Sequence, residues 1–287
     1  MSIEMRNLSK TFNKKERALT DIDFTLRKGE VVGLVGPNGA GKTTLMKIIA
    51  GIIVQYDGKL AFRDRSSVGS LIEKPKFFPN KTGWYNIRYF RALYGGSDLQ
   101  MDEIVQSLEM ESYLSKKVKH YSLGMKQRLG IALALISNPD YLVLDEPTNG
   151  MDPDGIRKIL GYLKRLVKER DIGILISSHI LEDVENMSDR VYVIKDGRLI
   201  NEYAGEQSRG EMLALTFSEE DLEQAKHLLS GYEGLRRNQN VISFQYDGNM
   251  KQVLKRLSQF DLYPTDVKKK KDTLEDFYFQ HMGSEAK

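Results

Sequence analysis

Gly36-Pro37-Asn38-Gly39-Ala40-Gly41-Lys42-Thr43 is the stretch of this sequence that decides its fold. It fits the pattern G-x-x-x-x-G-K-[ST], whose glycines leave backbone N–H groups free to close around phosphate oxygens. The apolar run at 31–35 is typical of a strand buried on both faces of a parallel sheet, and 44–50 is typical of a helix. An ordinary glycine turn is the weaker interpretation, because the motif and both flanking elements agree. The sequence therefore predicts an α/β fold with a phosphate-binding loop.

The loop residues have separate expected roles toward a bound nucleoside triphosphate. Lys42 supplies a point charge for the β- and γ-phosphates, and Thr43 is expected to place its hydroxyl on Mg²⁺. The expected cofactors are therefore ATP and Mg²⁺. The other residues expected to contact the nucleotide here are Gly36, Pro37, Asn38, Gly39, Ala40, Gly41 and Thr44.

A second apolar run ends in two carboxylates. Tyr141–Leu144 is followed by Asp145 and Glu146, and we expect it to form a parallel strand next to the strand at 31–35. Asp145 suits Mg²⁺ held through water. Glu146 is placed to act as general base, accepting a proton from the water that attacks the γ-phosphate. An acidic strand end that faces solvent is the alternative interpretation.

A third apolar run, Ile172–Ser178, ends in His179. A lone histidine is more often structural than functional. Because polar groups follow three buried strands that end at one sheet edge, we favour contact of His179 with the γ-phosphate or the attacking water. His120, His227 and His281 have no ligand-spaced companions and are interpreted as structural.

The stretch between the phosphate loop and Asp145 carries a family resemblance. It reads Tyr121-Ser122-Leu123-Gly124-Met125-Lys126-Gln127-Arg128, and an apolar helical stretch follows it. In this order the motifs resemble those of the ABC ATPase family, whose usual signature is Leu-Ser-Gly-Gly-Gln. The chain keeps the serine and the second glycine and replaces the other three residues. The resemblance implies a head-to-tail dimer in which each ATP lies between one subunit's phosphate loop and the other subunit's signature.

Ser122 and Gly124 have a physical reason to serve that role. Both lie where a helix begins, so a hydroxyl, backbone N–H groups and the helix dipole can meet a phosphate. We expect them to contact the nucleotide of the second subunit. The plain start of an amphipathic helix is the alternative interpretation.

Glu73 stands where the resemblance places the glutamine of the family's Q-loop, within the stretch 69–75. A carboxylate is a better Mg²⁺ ligand than an amide, so Glu73 is a candidate metal ligand. The replacement resembles the bacteriocin and lantibiotic immunity branch. It implies an exporter whose cargo is an amphipathic or antimicrobial peptide.

Two further family landmarks are present. Asn149-Gly150-Met151-Asp152 stands where many relatives have Ser-Ala-Leu-Asp, and Asp152 is predicted to cap a helix that begins with Pro153. Phe12 stands where the family uses an aromatic ring to stack on adenine. Core packing of Phe12 is an equally good interpretation.

The resemblance implies a P-loop NTPase fold with an antiparallel β-subdomain, a RecA-like core and a helical subdomain at about 76–137. Alternating apolar and polar residues over about 1–30 fit the antiparallel part. We expect 1–210 to form the nucleotide-binding domain, with its core closing near residue 205. Residues 211–287 are expected to form a small α+β accessory domain.

The accessory domain shows a recognisable order of elements. Strands are predicted at 213–217, near 235, at 241–246 and at 263–267, helices at 219–229 and 250–260, and a closing helix at 273–279. This β-α-β-β-α-β order suggests a ferredoxin-like domain. The run Lys268–Lys271 is interpreted as a solvated charge cluster rather than a lipid contact.

An aromatic-rich stretch lies in the predicted helical subdomain, where the family places its contact with the transporter. Its side chains could belong to the core or to a docking surface, and both interpretations stay open. The residues concerned are Tyr85, Ile87, Tyr89, Phe90, Leu93 and Tyr94.

Composition excludes several classes. The 287 residues, 40% of them hydrophobic, suffice for one large and one small domain. Because cysteine is absent, disulfides, thiolate zinc sites and cysteine nucleophiles are excluded. A net charge of +3 with mixed signs does not favour a nucleic-acid partner. With no signal peptide and no spanning run, we expect the chain in the cytoplasm, held at the membrane's inner face by separate transmembrane permease subunits.

These observations together predict the ATP-hydrolysing subunit of a membrane exporter. One phosphate loop and one signature require a second nucleotide-binding subunit, either another copy or a paralogue. The alternative is a soluble ABC ATPase that acts on ribosomes or DNA. It is disfavoured because the sequence shows neither a second ATPase domain nor a long coiled-coil insertion.

Overall fold

The computed structural model describes residues 2–13, 15–61, 67–73, 76–95, 98–204, 211–246, 248–271 and 273–282. The chain forms two units, Met1–Tyr203 and Ala204–Lys287. The predicted boundary at 205–210 lies outside the described residues, as do Lys74 and Pro75 of the predicted Glu73 loop.

The first unit contains two sheets. Its strands are β1 (Ser2–Phe12), β2 (Glu16–Arg27), β3 (Val31–Val35), β4 (Asp57–Ala61), β5 (Val68–Leu71), β6 (Tyr141–Asp145), β7 (Gly173–Ser177), β8 (Arg190–Lys195) and β9 (Arg198–Ala204). Its helices are α1 (Lys42–Ile49), α2 (Gly83–Tyr94), α3 (Asp98–Ser107), α4 (Leu123–Leu135), α5 (Pro153–Arg170) and α6 (Leu181–Met187). A short 3₁₀ helix, Val118–His120, precedes α4.

The larger sheet has the strand order β5-β6-β7-β3-β8-β9, and its pairs from β5 to β8 are parallel. Strands β3 and β7 are buried along their whole length, as continuous apolar runs in a covered parallel sheet should be. One apolar core on one side of the sheet includes side chains of α3, α4 and α5. A second core on the other side includes side chains of β1, β2 and α1.

The prediction that β6 lies next to β3 is wrong. Strand β7, not β6, lies beside β3, and β6 pairs with the far side of β7. The three runs are equally apolar, so their composition does not reveal their order in the sheet. Ser177 at the end of β7 pairs with Leu34 on one side and with Asp145 on the other. The carboxyl ends of the three strands therefore meet at one level.

The smaller sheet is antiparallel, in the order β2-β1-β4, as the alternation near the N-terminus predicts for its first two strands. It is held close to the phosphate loop. The carbonyl oxygen of Ala18 lies 2.7 Å from where a Cβ would stand at Gly41 and 2.6 Å from where one would stand at Gly197. Only glycine fits at these two positions, so the β-subdomain and the phosphate loop are in backbone contact.

Helices α2, α4 and α5 of the first unit begin at side-chain caps, and the caps of α4 and α5 involve residues singled out in the sequence. The hydroxyl of Ser122 accepts a hydrogen bond from the N–H of Met125, and α4 starts at Leu123, directly after Ser122. The carboxylate of Asp152 accepts from the N–H of Gly155 at the start of α5. The predicted cap at Asp152 is confirmed.

The second unit contains one antiparallel sheet in the order β11-β12-β10-β13. Its elements are β10 (Glu211–Thr216), α7 (Leu222–Leu228), β11 (Arg236–Asn238), β12 (Val241–Gln245), α8 (Met250–Ser258), β13 (Asp266–Lys271) and α9 (Leu274–Met282). Up to β13 they follow one another as β-α-β-β-α-β. Residues of β10, β12, α7 and α8 form a separate apolar core.

The last strand of this sheet differs from the prediction. It was expected at 263–267, but β13 begins at Asp266 and contains the lysine run. Strand β13 lies at the sheet edge, where Lys268 and Lys269 are exposed and Lys270 is partly buried, and each of these three lysines has an acidic neighbour. Lys268 pairs with Asp266 at 2.8 Å, Lys269 with Glu211 at 3.6 Å and Lys270 with Asp276 at 3.0 Å. These pairs favour a solvated edge over a lipid contact.

Among the described residues, no helix combines the length and the apolar character needed to cross a bilayer.

Candidate functional site

The phosphate loop connects β3 to α1, and its glycines are required by close backbone contacts. A Cβ at Gly36 would lie 2.1 Å from the carbonyl oxygen of Ile194. Gly41 has a φ of +107°, a conformation that side chains rarely adopt. Gly39 also has a positive φ, +81°, but a Cβ there would meet nothing within 4 Å. The loop is therefore fixed at both ends and open in the middle.

Lys42 lies over its own loop. Its ammonium group donates hydrogen bonds to the carbonyl oxygens of Gly36, at 2.7 Å, and Pro37, at 3.0 Å. Burial lowers the pKa of Lys42 from its usual value, while the charges of Asp145 and Glu146 act in the opposite direction. A half-buried ammonium is weakly solvated, so an anion that replaces the two carbonyl groups gains a strong partner.

Asp145 is held from two sides. The hydroxyl of Thr43 donates to its Oδ2 at 2.9 Å, and the hydroxyl of Ser177 donates to its Oδ1 at 2.6 Å. Ser177 is fully buried at the end of β7, between β6, which carries Asp145, and β3, which leads into the phosphate loop. No sequence motif assigns a role to Ser177. The sequence feature that distinguishes it is a hydroxyl at the last position of an otherwise apolar strand.

Glu146 follows in a constrained conformation. Its N–H donates to the hydroxyl of Ser177 at 3.1 Å and to the carbonyl of the same residue at 3.2 Å. Its φ is +50°, which is uncommon for a residue with a side chain and typical of functional positions. Nδ1 of His179 lies 3.6 Å from Oε2 of Glu146, and Nδ2 of Asn149 lies 3.5 Å from the same oxygen. The structure thus brings the two predicted catalytic residues together.

Thr43 and Asp145 form a donor set suited to Mg²⁺. A hydroxyl and a carboxylate are the hard oxygen ligands that this ion prefers, and their oxygens are already in contact. Within the described residues, no group of three His, Cys, Asp or Glu side chains could hold a metal by itself. Mg²⁺ here would need oxygens from water and phosphate to complete its coordination, which is its usual mode in phosphoryl-transfer enzymes.

Glu73 is placed differently from this pair. Its carboxylate is 2.5 Å from the ammonium of Lys47, on the phosphate-loop helix α1. Its φ is +58°, so the loop turns sharply at this residue. Glu73 lines the same cleft as Thr43 and Asp145, but its charge is neutralised by a lysine in this structure.

An open cleft of about 680 Å³ joins these groups. Of the predicted site residues, Phe12, Asn38, Gly39, Gly41, Lys42, Thr43, Thr44, Glu73, Asp145 and Glu146 line it. Phe12 is partly exposed at this cleft, with the ammonium of Lys10 4.9 Å from its ring centre. It does not belong to the apolar clusters of the first unit.

The signature stretch of the same chain reaches this cleft through Leu123 and Gln127 but not through its two predicted contact residues. Ser122, Gly124 and His179 are absent from its lining, as are Gly36, Pro37 and Ala40. Leu123 does line it and is half exposed. Gly124 is buried at the start of α4, and the hydroxyl of Ser122 caps that helix.

A second groove, of about 970 Å³, lies on the helical side of the first unit. Lys47, Leu71, Glu73, Phe90 and Tyr94 contribute to its lining. Glu73 therefore borders both this groove and the nucleotide cleft.

Beside the groove is an aromatic patch, which we define as Phe78, Tyr85, Tyr89, Phe90 and Tyr94. Its rings contact one another with centroids 4.8–6.4 Å apart. Four of the five are exposed, and Phe90 is partly buried. Of the aromatic-rich stretch considered above, only Ile87 belongs to the buried core.

Comparison with known proteins identifies the family. The family model for "ABC transporter" matches residues 19–149 of the chain. A second family model, "AAA domain, putative AbiEii toxin, Type IV TA system", matches residues 117–182. The chain is similar to the uncharacterized ABC transporter ATP-binding protein YhcH of Bacillus subtilis (strain 168), with 32% identity over 98% of this chain and 96% of the relative.

Two further relatives are transport proteins for antimicrobial peptides by name. The bacitracin transport ATP-binding protein BcrA of Enterococcus faecalis is 32% identical over 98% of this chain and 96% of its own length. The lantibiotic transport ATP-binding protein SrtF of Streptococcus pyogenes is 36% identical over 73% of this chain and 95% of its own length. Neither is described as acting on ribosomes or DNA, so that alternative gains no support.

The fold agrees with solved structures. The dimeric structure of a bacterial ABC transporter cassette matches with a TM-score of 0.65 and 25% identity, over 71% of this chain and 99% of that chain. The structural match agrees with the relatives YhcH and BcrA, which match over nearly their whole length. The chain belongs to the ABC transporter ATP-binding proteins, the ATPase subunits whose hydrolysis of ATP is coupled to transport.

Proposed function

We propose that two copies of this chain, or one copy and a paralogue, close around two molecules of ATP. Each ATP would lie between the phosphate loop of one subunit and Ser122 and Gly124 of the other. The observation that carries this proposal is the set of contacts that joins Thr43, Asp145 and Glu146 beside the phosphate loop. The match to the dimeric structure of an ABC transporter cassette supports completion by a second subunit.

The chemistry follows from the positions of the side chains. Glu146 accepts the proton of the attacking water on its carboxylate, and His179, 3.6 Å away, keeps that carboxylate and the γ-phosphate oriented. Lys42 exchanges its two carbonyl partners for β- and γ-phosphate oxygens. Thr43 and Asp145 would hold Mg²⁺, and Glu73 would add a carboxylate oxygen if it were released from Lys47. When bound, Mg²⁺ supplies positive charge to the phosphate oxygens.

Phe12 completes the site by packing its ring on adenine. Its partial exposure at the cleft supports this role over core packing, because a core phenylalanine would be covered on all sides. The remaining loop residues, including Gly36, Pro37 and Ala40, act by shaping the backbone that surrounds the phosphates.

The membrane partner is a separate set of permease subunits at the cytoplasmic face. The aromatic patch and the adjoining groove support this assignment, because a cluster of exposed rings is unusual on a surface that stays in water. Glu73 borders both the groove and the nucleotide cleft, so it is placed to sense both partners.

The cargo we propose is an amphipathic or antimicrobial peptide, exported from the cell or its membrane. The roles of BcrA in bacitracin transport and of SrtF in lantibiotic transport support this class. A strain whose own gene carries Lys42→Ala should become more sensitive to such peptides. Unchanged sensitivity across bacitracin and several lantibiotics would contradict the cargo assignment while leaving the ATPase untouched.

Dimer closure is tested with Glu146→Gln, which keeps the shape of the side chain but removes the base. With ATP, this variant should accumulate as a dimer on size exclusion with light scattering, and adding Ser122→Ala should return it to monomer. Glu169→Gln, an exposed glutamate on α5, is the matched control and should behave as the unaltered chain. A Glu146→Gln chain that stays monomeric with ATP contradicts the proposal.

A further inference from the structure

The start of α4 rests on the turn that follows Glu146. Gly150 lies in this turn with a φ of +74°, and a Cβ there would be 2.5 Å from Cδ2, 2.7 Å from Cγ and 2.9 Å from Cβ of Leu123. All three distances are shorter than real Cβ contacts, so the side chain of Leu123 lies directly on the Cα of Gly150. Beside this contact, a Cβ at Gly124 would be 3.3 Å from the carbonyl oxygen of Gly150.

The same turn is attached to Glu146. The N–H of Asn149 donates to the carbonyl of Glu146 at 3.2 Å, and the N–H of Met151 donates to the carbonyl of Thr148 at 3.2 Å. Thr148 is buried between them. Two overlapping turns therefore connect the candidate base to the residue beneath Leu123 by a short, hydrogen-bonded path.

We propose that Leu123 and Gly150 are a pair of positioning residues. Their contact fixes the position of Ser122 relative to Glu146 of the same chain. The inference rests on the proposed function, where Ser122 serves the nucleotide of the other subunit and Glu146 serves its own. In the closed dimer, this contact then joins the two ATP sites within each chain.

Leu123 and Gly150, 27 positions apart in the sequence, are the two sides of one contact. The side chain of Leu123 occupies the space that a Cβ at residue 150 would take, so a larger residue at 150 fits only when residue 123 is smaller.

This complementarity predicts the outcome of exchanging the residues. Gly150→Ala forces a methyl group into Leu123, and Leu123→Gly leaves the turn unsupported. In the double variant, the three atoms of Leu123 that lie nearest to a Cβ at residue 150 are gone. Some strain from the positive φ of residue 150 remains, so recovery should be large but incomplete.

The test is a double-mutant cycle in the Glu146→Gln chain, measuring the ATP-dependent dimer dissociation constant by analytical ultracentrifugation. We expect Gly150→Ala to weaken the dimer at least about tenfold and Leu123→Gly about three- to tenfold. The double variant should lie within about threefold of the reference. Gly161→Ala on α5, where a Cβ would meet nothing within 4 Å, is the matched control and should leave the dimer unchanged.

Two further readouts separate positioning from general structural damage. ADP affinity of the monomer, by calorimetry, should stay within about twofold in the Gly150→Ala variant, because Gly150 belongs neither to the phosphate loop nor to the lining of the nucleotide cleft. With Glu146 restored, the single variants should lower kcat while KM changes little, and the double variant should recover kcat.

Each outcome is decisive. A reference that remains monomeric with ATP overturns both the proposed function and this inference. If the reference dimerises but the two substitutions have additive effects, only the Leu123–Gly150 pair is refuted. Parallel losses of ADP affinity and dimerisation would also refute it, because the contact would then support the fold of the chain rather than the relation between two sites.

Discussion

Ser177→Ala is the sharpest test of how Asp145 and Glu146 are held. The substitution removes a fully buried hydroxyl that donates to Asp145 at 2.6 Å and accepts from the N–H of Glu146 at 3.1 Å. The bond to the charged carboxylate contributes about 1.5–3 kcal/mol. The N–H of Glu146 keeps its bond to the carbonyl of residue 177, so the second loss is small.

We therefore expect the free energy of unfolding to fall by about 2 kcal/mol, which for a unit of this size lowers Tm by about 4–8 °C. Asp145 and Glu146 also lose their common anchor. If the transition state for hydrolysis loses a similar stabilisation of about 2 kcal/mol, kcat falls by about ten- to hundredfold. Both quantities are measurable, by differential scanning calorimetry and by steady-state ATP hydrolysis.

Ser178→Ala is the matched control. This neighbour is also buried, but its hydroxyl accepts only from the N–H of Ile180, at 3.0 Å. Its loss should cost about 1 kcal/mol of stability and change kcat by less than about twofold. If Ser177→Ala and Ser178→Ala had equal kcat values, the argument that Ser177 positions the two carboxylates would be refuted.

Three further predictions concern single side chains. Lys42→Ala should weaken ATP binding at least about tenfold in equilibrium dialysis, because it removes a charge-assisted contact; unaltered affinity would count against the loop assignment. His179→Ala should lower kcat about 10²-fold with little change in ATP affinity, since the histidine acts on Glu146 and the reacting groups; a change in KM alone would contradict this. Asp276 has a lowered pKa in the fold because its bonds to Lys270 and a nearby threonine outweigh burial. Its stabilising effect is therefore present above the unfolded pKa of 3.8 and lost as pH falls below it, and Asp276→Asn should remove this acid-side loss from a pH series of thermal melts.

The sequence revealed the elements that carry chemistry because each is an apolar run followed by polar residues. The phosphate loop, Asp145, Glu146 and His179 are all recognisable in this way, and the structure places them along one sheet edge. The strand order was not recognisable. Three equally apolar strands give no sign that β7 lies between β3 and β6, and this order is what makes Ser177 part of the site.

Other differences have similar physical origins. Strand β4 is mostly exposed and begins with Asp57 and Gly58, so it lacks the alternation that marks β1 and β2. Strand β13 is rich in lysine, a composition typical of solvent-exposed coil, because only one of its edges is paired. The contact between Leu123 and Gly150 joins residues in different motifs, and separation along the chain hides such contacts from motif comparison.

The lysine-bearing edge of the second unit affects how this protein should be labelled. Positive charge on β13 discourages the edge from pairing with the same edge of another molecule. Amine-reactive dyes or acetylating reagents would neutralise these side chains and promote aggregation at high concentration. Since the chain has no cysteine, one introduced on an exposed helix offers a selective attachment point that leaves the edge charged.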